Sequence, residues 1–310
     1  MQNSNLYTHT QQEQRIINHR VKKHISYLFF SAFLFAAAAI VGCGPKLKIK
    51  MPQRLCRGKK TVAESLDSVN AKVPKVTPIR AHGQCLLEYP VDGKKKKEHF
   101  PVKIWANPPT EFYMQGDVAF DPTGVIVGSN ESEFWLSIRP KEISGYWWGQ
   151  WADGNQTEGL IISPRMLLEV IGIAPFEQEG SYQDWTLANE GAFDVLTKRD
   201  IDGKVLKKVY VYCCDYSIRK IEYFDFYGEV AAVVRLGDFS QVAEGFAAPR
   251  QINIESGKNT EDVVEISFKL SSIVPSEFSE RQQRRLFTPP PPKRFKNIYR
   301  IIDGRAIEQP

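Results

Sequence analysis

Residues 204–242 read "KVLKKVYVYCCDYSIRKIEYFDFYGEVAAVVRLGDFSQV", and the chain continues through "APRQINIES" at 248–256. Valine, isoleucine, tyrosine and phenylalanine dominate runs of strand length, while Asp215 and Gly228 stand at the breaks. Branched and aromatic side chains fit a pleated, half-buried surface. Asp and Gly suit turns. The stretch therefore reads as a strand reaching Asp215 and a hairpin that turns at 227–229. A strand within 249–256 and another within 262–274 follow. Neighbouring strands joined by turn-length gaps pair antiparallel.

The same pattern extends toward the N-terminus. "VTPIRAHGQCLLEYP" (76–90), "HFPVKIWAN" (99–107) and "EFYMQGDVAF" (111–120) read as strands, with turn signals "DGK" at 92–94 and "DPTG" at 121–124. "VIVGSN", "EFWLSIRP" and "GYWWGQW" follow as short strands, and 182–199 suggests one or two more. Two segments break the series. "TVAESLDSVNAK" (61–72) sets Thr61 three residues before Glu64, a capping-box spacing, with Val62, Leu66 and Val69 on one stripe. "SPRMLLEVIGI" (163–173) offers Ser163 as a cap, Pro164 for the first turn and Gly172 as a stop. Its Met166, Leu167 and Val170 form an apolar stripe, so this helix is expected to be largely buried. About eleven strands with two helices, and no strand–helix–strand alternation, exclude a parallel α/β sheet.

Arg15, Arg20, Lys22 and Lys23 precede "ISYLFFSAFLFAAAAIVG" (25–42), which contains no charged residue. A basic flank and an apolar run ending in small residues is the layout of a secretory signal. Ile40-Val41-Gly42-Cys43 resembles the bacterial lipobox, which implies that Cys43 becomes an acylated first residue. Two or more acyl chains hold a protein stably on a bilayer. The other reading is an uncleaved signal anchor with a chance cysteine. The expected organisation is a lipoprotein signal at 1–42, a lipid-anchored basic linker at 43–60, a folded domain at 61–274 and a proline-rich basic tail at 275–310. Residues 46–60 carry seven Lys and Arg and no acid, and such a segment either lies on anionic headgroups or acts as a solvated spacer.

Loss of residues 1–42 would remove four Lys or Arg and one Glu, taking the net charge from +5 to +2. That balance calls for no nucleic-acid partner. Cys56, Cys85, Cys213 and Cys214 remain besides Cys43. An exported compartment permits disulfides, but spacing does not fix their pairing. A bridge from Cys56 or Cys85 to one of the vicinal pair is one possibility, and small apolar filler is the other. The tail holds four consecutive prolines, 289–292, and reads as an extended segment that hangs free or docks weakly on an envelope partner.

Catalytic signatures are missing. Residues 43–310 contain two histidines, His82 and His99, in different strands, and no zinc-protease, nucleophile-elbow, dinucleotide or P-loop pattern. The expectation is a non-enzyme that needs no cofactor and no metal.

The opening stretch also carries a resemblance. Ile218-Arg219 with Tyr223 and Asp225, then Gly228, then Asp238-Phe239, then Pro249 with Ile252 and Ile254, is similar to the second half of the LolA/LolB class of bacterial lipoprotein carriers and receptors. The helix at 61–72 and the strands through "PVKIWANPPTEFYM" resemble the first half. The resemblance spans about residues 61–274 and implies an α+β fold, a strongly curved, half-open antiparallel β-barrel whose open side is covered by helices. It also implies a concave cavity for acyl chains. The receptor's protruding loop with an apolar tip has no counterpart at 121–124, which offers neither Leu nor Trp.

Strand alternation then nominates a lining: Val102, Ile104, Phe112, Met114, Phe134, Leu136 and Trp148, with Met166, Leu167 and Val170 from the helix. A filled core is the plain alternative at each position. The expected role is a periplasm-facing lipoprotein of the bacterial envelope, on the outer rather than the inner membrane. It would bind a lipid or a lipoprotein acyl chain and pass it on. An anchored structural or protein-interaction module is the competing reading.

Overall fold

The computed structural model describes residues 56–72, 78–91, 93–118, 121–139, 144–151, 164–173, 182–225, 227–257, 263–302 and 305–309. All fall in the unit Pro52–Pro310. Residues 1–55, and with them Cys43, the apolar run and most of the basic linker, lie outside the described residues.

Helix α1, Val62–Asn70, begins as its sequence requires. The Thr61 side chain accepts from the Glu64 N–H, and the Glu64 carboxylate accepts from the N–H groups of Thr61 and Lys60. Leu66 and Val69 are its buried apolar residues. Strands β1 (Ile79–Val91), β2 (Lys94–Asn107), β3 (Glu111–Val118), β4 (Asp121–Ser129), β5 (Glu133–Ile138) and β6 (Gly145–Gln150) follow, then helix α2, Pro164–Ile171. Gly172 leaves α2 at φ +79°, a conformation that glycine adopts without strain. Strands β7 (Trp185–Glu190), β8 (Phe193–Arg199), β9 (Val205–Tyr212), β10 (Ile218–Phe224), β11 (Val230–Ala243), β12 (Phe246–Ser256) and β13 (Val264–Pro275) complete the long series. Helix α3 (Glu280–Leu286), a 3-10 turn (Pro292–Arg294) and strands β14 (Asn297–Ile302) and β15 (Arg305–Glu308) close the chain.

One sheet holds all fifteen strands, in the order β15-β14-β6-β5-β4-β3-β2-β1-β13-β12-β11-β10-β9-β8-β7. Every pairing is antiparallel except β14 with β6. The two end strands, β15 and β7, are not neighbours, so the sheet stays open. Its curvature follows from α2, which touches β3 and β4 on one side and β12 on the other. Between β4 and β12 lie β3, β2, β1 and β13. Five inter-strand steps make a ribbon of about 24 Å at ~4.8 Å per step. A helix with its side chains is only about 10–12 Å across. The sheet reaches both flanks of α2 by bending round it.

The strand count of about eleven is corrected to fifteen. Gly191, at φ +58°, turns 185–199 into a hairpin of two strands, and the tail supplies two more. That tail does not hang free. Leu286, Phe287 and Phe295 are buried. Asn130 Nδ2 donates to the Phe287 carbonyl at 3.1 Å, and β14 pairs with the β6 edge from Asn297 opposite Gly145 to Arg300 opposite Trp148. Phe295 of the tail packs on Ile126, Trp135 and Tyr146 in an outer-face cluster.

The cysteine alternatives resolve to a Cys56–Cys214 disulfide with Cα atoms 5.0 Å apart. Cys85 and Cys213 are buried. The main core and both bridged cysteines lie inside Pro52–Pro310, which therefore has the makings of an independently folding unit.

Candidate functional site

The inner face of the bent sheet is the candidate site. Strand alternation puts Ile79, Ala81 and Cys85 of β1, Phe100, Val102, Ile104 and Ala106 of β2, and Phe112 and Met114 of β3 on it, all buried in one core. From the other half of the sheet come Val209 and Val211, Ile221, Val234, Ile252 and Ile254, and Ile266 and Phe268. Helix α2 lies against this surface with Met166, Leu167, Leu168, Val170 and Ile171 all buried. An eight-residue helix that hides five apolar side chains is a plug, not a surface helix.

Of the nominated lining, Val102, Ile104, Phe112, Met114, Met166, Leu167 and Val170 share this core, and Leu136 packs against it. Phe134 is buried, with its ring 4.8 Å from that of Trp151. Trp148 is elsewhere. It pairs with Trp135 across β5 and β6 and joins the outer cluster beneath the tail, while Trp147 pairs with Leu136 on the opposite face. Adjacent tryptophans in one strand must part to opposite faces. Sequence alone did not show which one turned inward, because the tail makes both faces apolar there.

A charged pair interrupts the apolar face. Lys207 Nζ meets Glu169 Oε1 of α2 at 2.7 Å, and each side chain is 13% exposed. The same ammonium lies 5.5 Å from the centre of the Trp185 ring. Tyr223 is half-buried with its hydroxyl oxygen out of solvent, and desolvation, followed by the nearby Glu169 charge, holds its phenol well above the usual range. This pair ties α2 to β9, on the far side from its apolar contacts with β3 and β4. No spacing rule announced it, since the partners are 38 residues apart.

A second polar knot fastens the N-terminal segment. The buried Asp194 carboxylate accepts from Lys59 N–H at 2.8 Å, from Asn189 Nδ2 at 2.7 Å and from the Cys213 thiol at 3.4 Å. With the adjacent disulfide, it clamps residues 56–60 to β8 and the end of β9. Cys85 has a different character: burial pushes its thiol up to about 12, which leaves almost no thiolate for nucleophilic chemistry.

A surface pocket of about 320 Å³ opens at the β10–β11 turn and the end of β12, lined by Glu229–Val233, Glu255 and Gly257. Among the described residues, no group of three or more His, Cys, Asp and Glu side chains is placed to hold a metal ion.

No family model and no curated protein matches this chain. Solved structures do. A domain from Vibrio parahaemolyticus, provisionally named as an outer membrane lipoprotein-sorting protein, superposes with a TM-score of 0.51 at 11% identity, covering 72% of this chain and 96% of its own. The chain shares that fold. A LolA superfamily protein from Nitrosomonas europaea gives a TM-score of 0.49 at 13% identity, covering 74% of this chain and 99% of its own. At such identities the likeness concerns the fold alone.

Proposed function

We propose that this chain is a membrane-anchored envelope protein that binds an amphiphile, a lipid or the acyl chain of a lipoprotein, on the inner face of its bent sheet. The observation that carries this reading is the continuous apolar surface from β3 through β1 to β12, against which the short helix α2 packs. Such a surface suits hydrocarbon, and apolar clefts with a few placed polar groups are the usual form of ligand sites. The fold neighbour named for lipoprotein sorting points the same way. Because α2 already fills the face, a hydrocarbon chain enters only as α2 yields. The role is binding and transfer without bond-making chemistry.

In this reading Cys43 carries the lipid anchor, the domain faces the periplasm, and the clamp at Cys56 and Asp194 is where the tether joins the fold. Native mass spectrometry of residues 52–310 tests it. A single adduct with a long-chain fatty acid or lysolipid is expected. If the folded unit takes up neither, and none co-purifies, the binding role is lost. The competing reading, an anchored interaction module, is favoured by one observation: the described inner face is already closely filled by α2. It predicts no adduct, together with retained capture of an envelope partner.

A further inference from the structure

The hairpin of β1 and β2 extends the inner face beyond its neighbours. β13 accompanies β1 only as far as Glu88, opposite Glu265, and β3 accompanies β2 only from Val102. Past those points, among the described residues, each of the two strands pairs with the other alone. Their register sets Cys85 opposite Phe100, Leu87 opposite Glu98, Tyr89 opposite Lys96 and Val91 opposite Lys94. Cys85 and Phe100 are inner-face core residues, and side chains alternate along a strand. Leu87, Tyr89 and Val91 therefore continue the inner face outward, joined on it by Lys94 and Lys96.

The four lysines at 94–97 are not alike. On the outer face Lys95 pairs with Glu88 at 3.0 Å and with Glu265 at 2.9 Å, and Lys97 pairs with Glu88 at 2.9 Å. On the inner face Lys94 and Lys96 are exposed, and neither has an ion-pair partner among the described residues. Glu98, the acid on this face, lies two residues nearer the core and is half-buried. The charge left without a partner thus stands at the outer end of an apolar track. Lys96 lies about 13 Å along the strand from Phe100, at ~3.3 Å per residue. Lysine stems can lie along Val91 and Tyr89 while the ammonium groups stay in water.

We propose that Lys94 and Lys96 receive the anionic headgroup, phosphate or carboxylate, of the amphiphile whose hydrocarbon chain runs inward over Val91, Tyr89 and Leu87. This rests on the amphiphile-binding reading above and narrows it to an anionic class. Charge-assisted hydrogen bonds from ammonium to phosphate provide the selection, and salt weakens them because the groups are exposed.

The test uses residues 52–310, a lysophosphatidic acid and a monoacylglycerol of equal chain length, both below their micelle concentrations, and inorganic phosphate. Wild type is expected to favour the lysophosphatidic acid by about tenfold or more at low salt. Lys94→Gln with Lys96→Gln should remove that preference, lowering lysophosphatidic acid affinity at least tenfold more than monoacylglycerol affinity. Lys95→Gln with Lys97→Gln should retain it. Inorganic phosphate at millimolar concentration should not displace the lipid, and if it does, the site takes free anions instead and the proposal fails. Equal affinity of wild type for both lipids, or a preference that survives in the Lys94/Lys96 variant, also overturns it. Binding of neither lipid removes the underlying reading as well. Circular dichroism melting confirms that each variant is folded.

Discussion

Lys207 and Glu169 show how much one contact can decide within an apolar face. Two charges that are each 13% exposed have lost most of their hydration, and their attraction offsets that loss only while both are present. Replacing Lys207 with Met strands the Glu169 carboxylate and should cost about 3 kcal/mol in urea unfolding. Adding Glu169→Leu should recover most of it, and a double-mutant cycle gives the coupling. Glu88 poses the milder, outer-face version. Hydrogen bonds from Lys97, and then from Lys95, hold its carboxyl below the usual carboxylate value. A depressed folded-state pKa stabilises the protein above the unfolded value and is lost as pH falls through the folded one. Glu88→Gln should therefore destabilise by about 0.5–1 kcal/mol at neutral pH. The difference from wild type should begin to shrink as pH falls past the unfolded value, about 4.3, and vanish only below the depressed folded value, as chemical denaturation across pH would record.

At the level of elements, the sequence was informative wherever a local rule had no rival. Thr61 and Glu64 specified the start of α1, and Pro164 and Gly172 bracketed α2. The rule failed at 94–97, where lysine's poor strand tendency is overridden by pairing with 88–91 in β1. It failed again after Pro275, where four prolines suggested free chain and long-range burial of Phe287 and Phe295 decided otherwise. Neither outcome is visible in a window of ten residues. The tail yields its own prediction. Deleting 279–309 bares Trp135, Tyr146 and the β6 edge, an apolar and unpaired margin of the kind that drives association. Light scattering should find dimers or larger species, and a monodisperse monomer would argue against the covering role. The Cys56–Cys214 bridge closes a loop spanning 158 residues, so the double serine variant should lose about 2–4 kcal/mol. Its melting temperature should fall by about 5–15 °C at ~2–4 °C per kcal/mol.

Over the whole molecule, the antiparallel curved architecture was readable because its strands follow one another with short turns. The occupancy of its hollow was not, because that depends on how far the sheet closes on α2. If the proposed hydrocarbon chain binds the inner face, α2 and that chain compete for one surface. Competition fixes a sign that differs from that of ordinary core damage. Leu167 is 1% exposed in this core, so Leu167→Ala should lower stability by about 2–5 kcal/mol. If α2 must leave for a chain to enter, the same substitution weakens the competitor. Apparent acyl affinity then rises, by about tenfold for each 1.4 kcal/mol lost from the closed state. Ligand should also strip hydrogen-exchange protection from the α2 amides while protection in β1 and β13 persists. Were the hydrocarbon to bind anywhere else, such as the pocket at Glu229–Val233, Leu167→Ala would melt earlier with its lipid affinity unmoved. The opposed movement of stability and affinity in a single variant is therefore what separates a displaceable plug from a permanent core.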